Sequence, residues 1–186
     1  MFKNILAIGA HADDVELGCS GTLLKYKEQG ANIDIVVCRD DNAPKPSTWR
    51  SRETMTAEYQ KAESLFDVKF NILKNPTDDD GRPLLQWTPY MVEQMDGVIH
   101  SGNYDLIITH SPGDHHQDHI NTFHIVKSSL RRWQGEFWTM EGGPYSNKNK
   151  IFNPTIFVDI TDYIDKKIEL ISCYDSYFDE TILHNI

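Results

Sequence analysis

The sequence is poor in cysteine and in positive charge, and it holds no long apolar run. Its three cysteines, Cys19, Cys38 and Cys173, are too few and too scattered for a disulfide framework or a Cys-x-x-Cys metal knuckle. Free thiols in a reducing compartment are therefore expected. Lysine and arginine number 18 against 28 aspartates and glutamates, a formal net charge of −10. That balance argues against nucleic acid or an anionic membrane as the main partner. No apolar stretch approaches the ~20 residues that span a bilayer. Met1-Phe2-Lys3-Asn4 runs straight into a strand-like segment without the design of a signal peptide. A cytoplasmic protein is the expectation. Internal repeats, low-complexity tracts and a domain linker are also lacking.

What is present reads as one domain over residues 1–186. Hydrophobic residues make up 39% and charged residues 25%, the balance of an ordinary globular protein whose length supplies a single core. Strand-like runs near 5–10, 33–38, 69–73, 105–109 and 155–160 alternate with helix-like segments near 15–29, 48–66, 89–101, 118–132 and 162–178. Such alternation predicts an α/β fold, a Rossmann-like three-layer sandwich around a mostly parallel sheet. Residues 135–153, rich in Gly, Asn and Lys, carry no clear periodicity.

Two stretches carry chemistry. His11, Asp13 and Asp14 follow the first strand, and ligands in open α/β sheets gather just beyond strand carboxyl ends. Five of the eight histidines fall between His110 and His124, at the end of another predicted strand. His116 and His119 are three apart at a helix start and share a face. If the two strands are neighbours, His119 meets His11 and Asp14. Two histidines and one carboxylate form a common ligand set for catalytic zinc, with the fourth position left for water, and Asp114 and Asp118 are available to orient imidazoles. The plainer reading of Asp13 and Asp14 is helix capping, but two carboxylates beside a histidine exceed what a cap requires.

His11-Ala12-Asp13-Asp14 with Glu16-Leu17-Gly18 resembles the His-Pro-Asp-Asp signature of the PIG-L/LmbE-like zinc-dependent N-deacetylases. The run from His110 to His119 is similar to that family's second motif, and residues 152–169 look like its C-terminal strand and helix. The resemblance implies one Zn2+ per chain on His11, Asp14 and His119, with Asp13 as general base. It implies that His116 stabilises the oxyanion or protonates the leaving amine, with Asp118 as its carboxylate partner. Fe2+ and Mn2+ suit the same ligands. An N-acetylated amino sugar or related small amide is the implied substrate, and a homo-oligomer the implied assembly.

The chain departs from the pattern at several positions. Ala12 replaces proline, Ser20 a common glycine and Tyr177 a tail glutamine. Cys38-Arg39-Asp40-Asp41 stands where Thr-x-Gly-Glu is common, which makes Asp41 the candidate for the glutamate's substrate-side role. Arg50 or Arg52 answers to the family's arginine, and His115 is a further substrate-side candidate. The changes leave the ligand set whole and put the substrate in question. The rival readings are another metal hydrolase, such as a two-metal phosphoesterase, and a non-catalytic nucleotide-binding Rossmann-like module. The second lacks Gly-x-Gly-x-x-Gly and sets two aspartates where a pyrophosphate needs bare N–H groups.

Overall fold

Alternation along the first strand sets the layers. In β1 (Asn4–Gly9) Ile5 and Ala7 enter one core cluster while Leu6 and Ile8 enter another, all fully buried. The computed structural model of the protein describes residues 1–40, 51–142 and 152–176. Within them five strands form one wholly parallel sheet in the order β3-β2-β1-β4-β5. The others are β2 (Asn32–Val37), β3 (Phe70–Ile72), β4 (Leu106–His110) and β5 (Glu136–Met140). Parallel neighbours require crossovers, and α-helices supply them.

The helices are α1 (Asp14–Glu28), α2 (Arg52–Phe66), α3 (Pro89–Ser101), α4 (Gln117–Ser129) and α5 (Ile164–Ile171). Val15 and Leu23 of α1 pack with Leu170 of α5 on the Ile5/Ala7 side. Met91, Met95 and Ile99 of α3 pack with Ile125 and Val126 of α4 on the Leu6/Ile8 side. Fully burying a side chain of this size contributes roughly 1.5–3 kcal/mol, so the two clusters hold the three layers together. Start signals match propensity: Ser51 accepts the Thr54 N–H at 3.1 Å, and Thr88 caps α3 just before Pro89.

Several expected boundaries move. The helix expected from 48 is described from Arg52 onward, and 48–50 lie outside the described residues. The helix expected over 118–132 ends at Ser129 and tightens into a 3-10 turn, Leu130–Arg132. The last helix, expected over 162–178, is a 3-10 turn, Thr161–Tyr163, followed by α5, and ends at Ile171. β5 emerges from the stretch that showed no periodicity.

Residues 155–160 form no strand. Phe157 there is 81% exposed, and side-chain contacts take the place of a ladder. Lys25 Nζ donates to the Asp159 carbonyl at 2.7 Å, and Ile160 seats on Gly21 of α1. The apolar alternation was genuine, but its partner is a helix surface.

A second tie joins the C-terminal segment to the start of α1. Tyr174, 1% exposed, places its hydroxyl 3.0 Å from the Ala12 carbonyl oxygen and 3.0 Å from Glu16 Oε1. Glu16 is fully buried, and burial is the main cause of a pKa well above the carboxylate range.

Two substitutions test these contacts. A Cβ on Gly21 would lie 2.6 Å from Ile160 Cδ1 and 3.1 Å from its Cβ, so Gly21→Val should cost about 1–3 kcal/mol of stability, read as a lowered urea midpoint. Tyr174→Phe leaves the buried Ala12 carbonyl and Glu16 without that hydroxyl, and should cost about 1–3 kcal/mol in the same measurement.

Candidate metal centre

The strand ends that the sequence requires to be neighbours are neighbours. β1 and β4 pair in parallel register, Ile5 with Leu106 through Ala7 with Ile108, so both carboxyl ends open at the same sheet edge. The Ala10 N–H donates to His110 Nε2 at 3.0 Å and ties the two ends together. Between β1 and α1 the chain turns so tightly that a Cβ on Gly9 would meet the His11 carbonyl oxygen at 2.8 Å and Asp14 Cβ at 3.0 Å. Glycine is the residue that allows this approach.

On this frame three imidazoles converge on Asp14. Its Oδ1 lies 3.1 Å from His119 Nε2, and its Oδ2 lies 3.4 Å from His11 Nδ1 and 3.2 Å from His110 Nε2. The His11 backbone N–H donates to the same Oδ2 at 2.7 Å. His119 is oriented from behind by Asp114, whose Oδ2 sits 2.8 Å from Nδ1. A carboxylate only accepts, so without a metal both ring nitrogens donate, Nδ1 to Asp114 and Nε2 to Asp14; a metal ion would take the place of the Nε2 proton. The ring of His110 stacks on that of His119 with centroids 3.9 Å apart.

The chemistry of the donor set fits a divalent ion. His11, Asp14 and His119 each offer one ligand atom, all within 4.8 Å of one another. This is the nitrogen-and-oxygen set that zinc takes when a further position is kept open. Two further groupings meet the same distance criterion, His11/His116/Asp118 and His110/Asp114/His119. Both share a histidine with the first.

Electrostatics favour positive charge at the centre. Burial works to raise the Asp14 pKa, but the His110 and His119 imidazoles outweigh it and hold the carboxylate well below its usual range. Burial opposes a charged His119, yet Asp14 and Asp114 lift its pKa to about 9. The carboxylates therefore attract a cation at that point. Burial works against Asp118 as well, and its hydrogen bonds to His11 and Arg39 still bring it down to about 2. Burial, aided by His11 and His119, pushes His116 below the ordinary histidine value.

The structure also shows where the other expected residues lie. Asp13 occupies the N-cap position of α1, half-buried, with no side-chain capping bond. Its charge reaches Glu16 and Tyr174. His116 is exposed, and its Nδ1 accepts the Asp118 N–H at 3.2 Å.

Asp118 corrects an expectation. Its carboxylate serves His11, at 3.1 Å from Nε2, and Arg39, at 2.5 Å from Nη1, instead of His116. The reason is geometric, since the backbone N–H of Asp118 already engages the His116 ring. His115 is exposed, and Arg52 is exposed at the start of α2. Asp41 and Arg50 lie outside the described residues.

Sequence reasoning missed Arg39 altogether. Its position directly after β2, opposite Ala10, was the available signal for Arg39. Its backbone N–H continues the ladder to the Ala10 carbonyl at 2.9 Å.

Comparison with known proteins bears on this edge of the sheet. The family model PIG-L, described as GlcNAc-PI de-N-acetylase, matches residues 6–130, more than half of the chain. The uncharacterized deacetylase YaiS of Escherichia coli (strain K12) is 49% identical over 41 residues, a match spanning 22% of this chain and 22% of that protein. The conserved protein TT1542 from Thermus thermophilus has the same fold at a TM-score of 0.76 and 21% identity, over 95% of this chain and 80% of that one. The 4-carboxy-2-hydroxymuconate hydratase GalB from Pseudomonas putida KT2440 follows at 0.73 and 18%, over 98% and 82%. The N,N'-diacetylchitobiose deacetylase from Pyrococcus horikoshii reaches 0.72 and 20%, over 98% and 73%. Likeness at these identities speaks to the fold alone. The family match covers the first acidic motif, the second histidine motif and the strands that bring them together, and by it the chain belongs to the PIG-L family.

Proposed function

We propose that the protein is a metal-dependent hydrolase that removes the N-acetyl group from an amino sugar, N-acetylglucosamine-like, or from a related small amide. The observation that carries this reading is the convergence of His11, Asp14 and His119 within 4.8 Å, one residue from the carboxylate of Asp13. The family's description as a de-N-acetylase and the activity named for the Pyrococcus neighbour supply the reaction class.

His11, Asp14 and His119 would hold one divalent ion, Zn2+ first and Fe2+ or Mn2+ by the same ligand chemistry. Such an ion supplies Lewis acidity, lowering the pKa of water to about 7 and polarising a carbonyl. The chain's own groups do the rest. Asp114 holds His119 through Nδ1, and Asp118 holds His11 through Nε2. Asp13 takes the proton of the attacking water as the new C–O bond forms. An amine leaves only when protonated, and His116 at the rim hands a proton to that nitrogen as the C–N bond breaks. His115 and Arg52, both exposed, together with Asp41 and Arg50, are the substrate-side candidates.

The reading extends to a cytoplasmic setting, supported by three buried free cysteines. No helix among the described residues is long and apolar enough to cross a membrane. The homo-oligomer rests on the resemblance, and a single domain for the whole chain on its length and composition.

The Pseudomonas neighbour carries a hydratase on this fold, so the reaction must be decided by assay. Purified protein should contain one divalent ion per chain by elemental analysis and release free amine from a panel of N-acetylated sugars. Asp13→Ala should keep the ion and lose about 10²–10⁴-fold in turnover; turnover at the wild-type rate removes Asp13 from the chemistry. His119→Ala should lose the ion. Asp114→Asn should bind it roughly 10–100-fold more weakly, as read by competition with a chelator.

A further inference from the structure

Asp13 sits where two peptide groups meet, and each is pinned by a different part of the chain. The peptide after it is held by α1, since the Leu17 N–H donates to the Asp13 carbonyl at 3.0 Å. The peptide before it is held from the far end of the sequence. Tyr174 places its hydroxyl 3.0 Å from the Ala12 carbonyl oxygen, and because a carbonyl only accepts, the tyrosine donates.

That second hold matters because the turn is weakly closed by itself. The Asp14 N–H reaches the His11 carbonyl only at 3.4 Å, beyond the usual length of such a bond. The Asp13 backbone, φ −83° and ψ −13°, fits the second central residue of a type I turn, which makes Ala12 the first. Proline at that position presets the backbone, and the resembled His-Pro-Asp-Asp signature has it there. Alanine leaves the rotation open. Tyr174 is itself firmly placed. It belongs to a third core cluster with Ala12, Val37, Met55 and Tyr59, and its ring meets that of Tyr59 edge-on with centroids 6.4 Å apart. The Tyr174 N–H donates to the Ile171 carbonyl at 3.1 Å, and the Ser176 N–H to Glu58 Oε1 at 2.8 Å.

We infer that Tyr174 is a positioning residue for Asp13: its hydroxyl fixes the peptide between Ala12 and Asp13 and so aims the Asp13 carboxylate, the part a proline ring at position 12 would otherwise play. This rests on the base role proposed for Asp13. Losing the hydroxyl therefore lowers turnover without costing the ion.

The test compares Tyr174→Phe with wild type, both zinc-loaded, on an N-acetylated sugar that wild type turns over. The kcat should fall about 10–100-fold, the scale of a misplacement of roughly 1 Å, with KM and zinc uptake unchanged. Ala12→Pro/Tyr174→Phe should recover most of that loss. Hydrogen exchange read by mass spectrometry follows the turn independently of turnover. In the metal-free chain, residues 11–14 should exchange faster in Tyr174→Phe and slow again in the double variant. Gly21→Val, destabilised through Ile160, should keep the wild-type kcat. Should Tyr174→Phe not fold alone, the proline background serves, where removing the hydroxyl should leave kcat as in Ala12→Pro. Wild-type kcat or wild-type exchange in folded Tyr174→Phe, no recovery with proline, or an equal kcat loss in Gly21→Val overturns the inference and leaves the deacetylase reading standing. A well-folded, zinc-loaded wild type that releases amine from no sugar of the panel overturns both.

Discussion

One buried carboxylate governs this edge of the molecule. Asp14 is 8% exposed, and its two oxygens lie within 3.4 Å of three imidazole nitrogens and accept a backbone N–H. An isolated ion at that depth costs several kcal/mol, so the surrounding groups are a condition of its existence. They come from three places in the chain: the turn after β1, the end of β4 and the first turn of α4. Removing the parallel pairing of β1 with β4 would strand the charge. Conversely, the charge gives each strand end a reason to finish where it does. The packing of the sheet and the chemistry of its edge are therefore one constraint.

This coupling explains why so much was legible in the sequence. A buried five-strand parallel sheet needs continuous apolar runs, and those runs are plain in residues 5–8, 35–38 and 106–108. Groups placed just after two such runs meet if the strands are adjacent, so His11, Asp14 and His119 were identifiable before any coordinates. The misreadings have equally physical causes. Residues 155–160 alternate like a strand, but alternation reports one covered face and cannot say whether a sheet or the groove beside Gly21 covers it. β5 hid because its half-buried residues and its Gly- and Asn-rich surroundings lack a period. The allegiance of Asp118 was unreadable because it depends on where Arg39 arrives from, across the sheet.

Family membership and fold bound the reaction without choosing it. A hydratase and sugar deacetylases share this architecture, so the scaffold supplies a place where a polarised substrate meets acid and base groups. What tilts this chain toward amide hydrolysis is the division of labour among its side chains. Asp114 and Asp118 are each taken up in orienting an imidazole. His116 has one nitrogen satisfied by backbone and faces solvent. In the proposed reaction Asp13 and His116 are the acidic and imidazole groups for proton traffic, the pair an amide needs.

The remaining question is whether Asp13 is there for the helix or for chemistry. An aspartate at an N-cap ordinarily accepts an N–H from the first turn, a bond contributing about 1 kcal/mol. Asp13 occupies that position with backbone angles in the helical region, φ −83° and ψ −13°, and makes no such capping bond. Its neighbour Asp14 points back to the His11 N–H and the imidazoles instead of capping. Burial already lifts the pKa of Tyr174 and of Glu16, and the charge of Asp13 lifts both further, which is a cost to a buried pair. A carboxylate kept at the cap without capping, beside a ligand set and next to a buried carboxyl it destabilises, is what the proposed base role requires: an acceptor for a proton outside the helix.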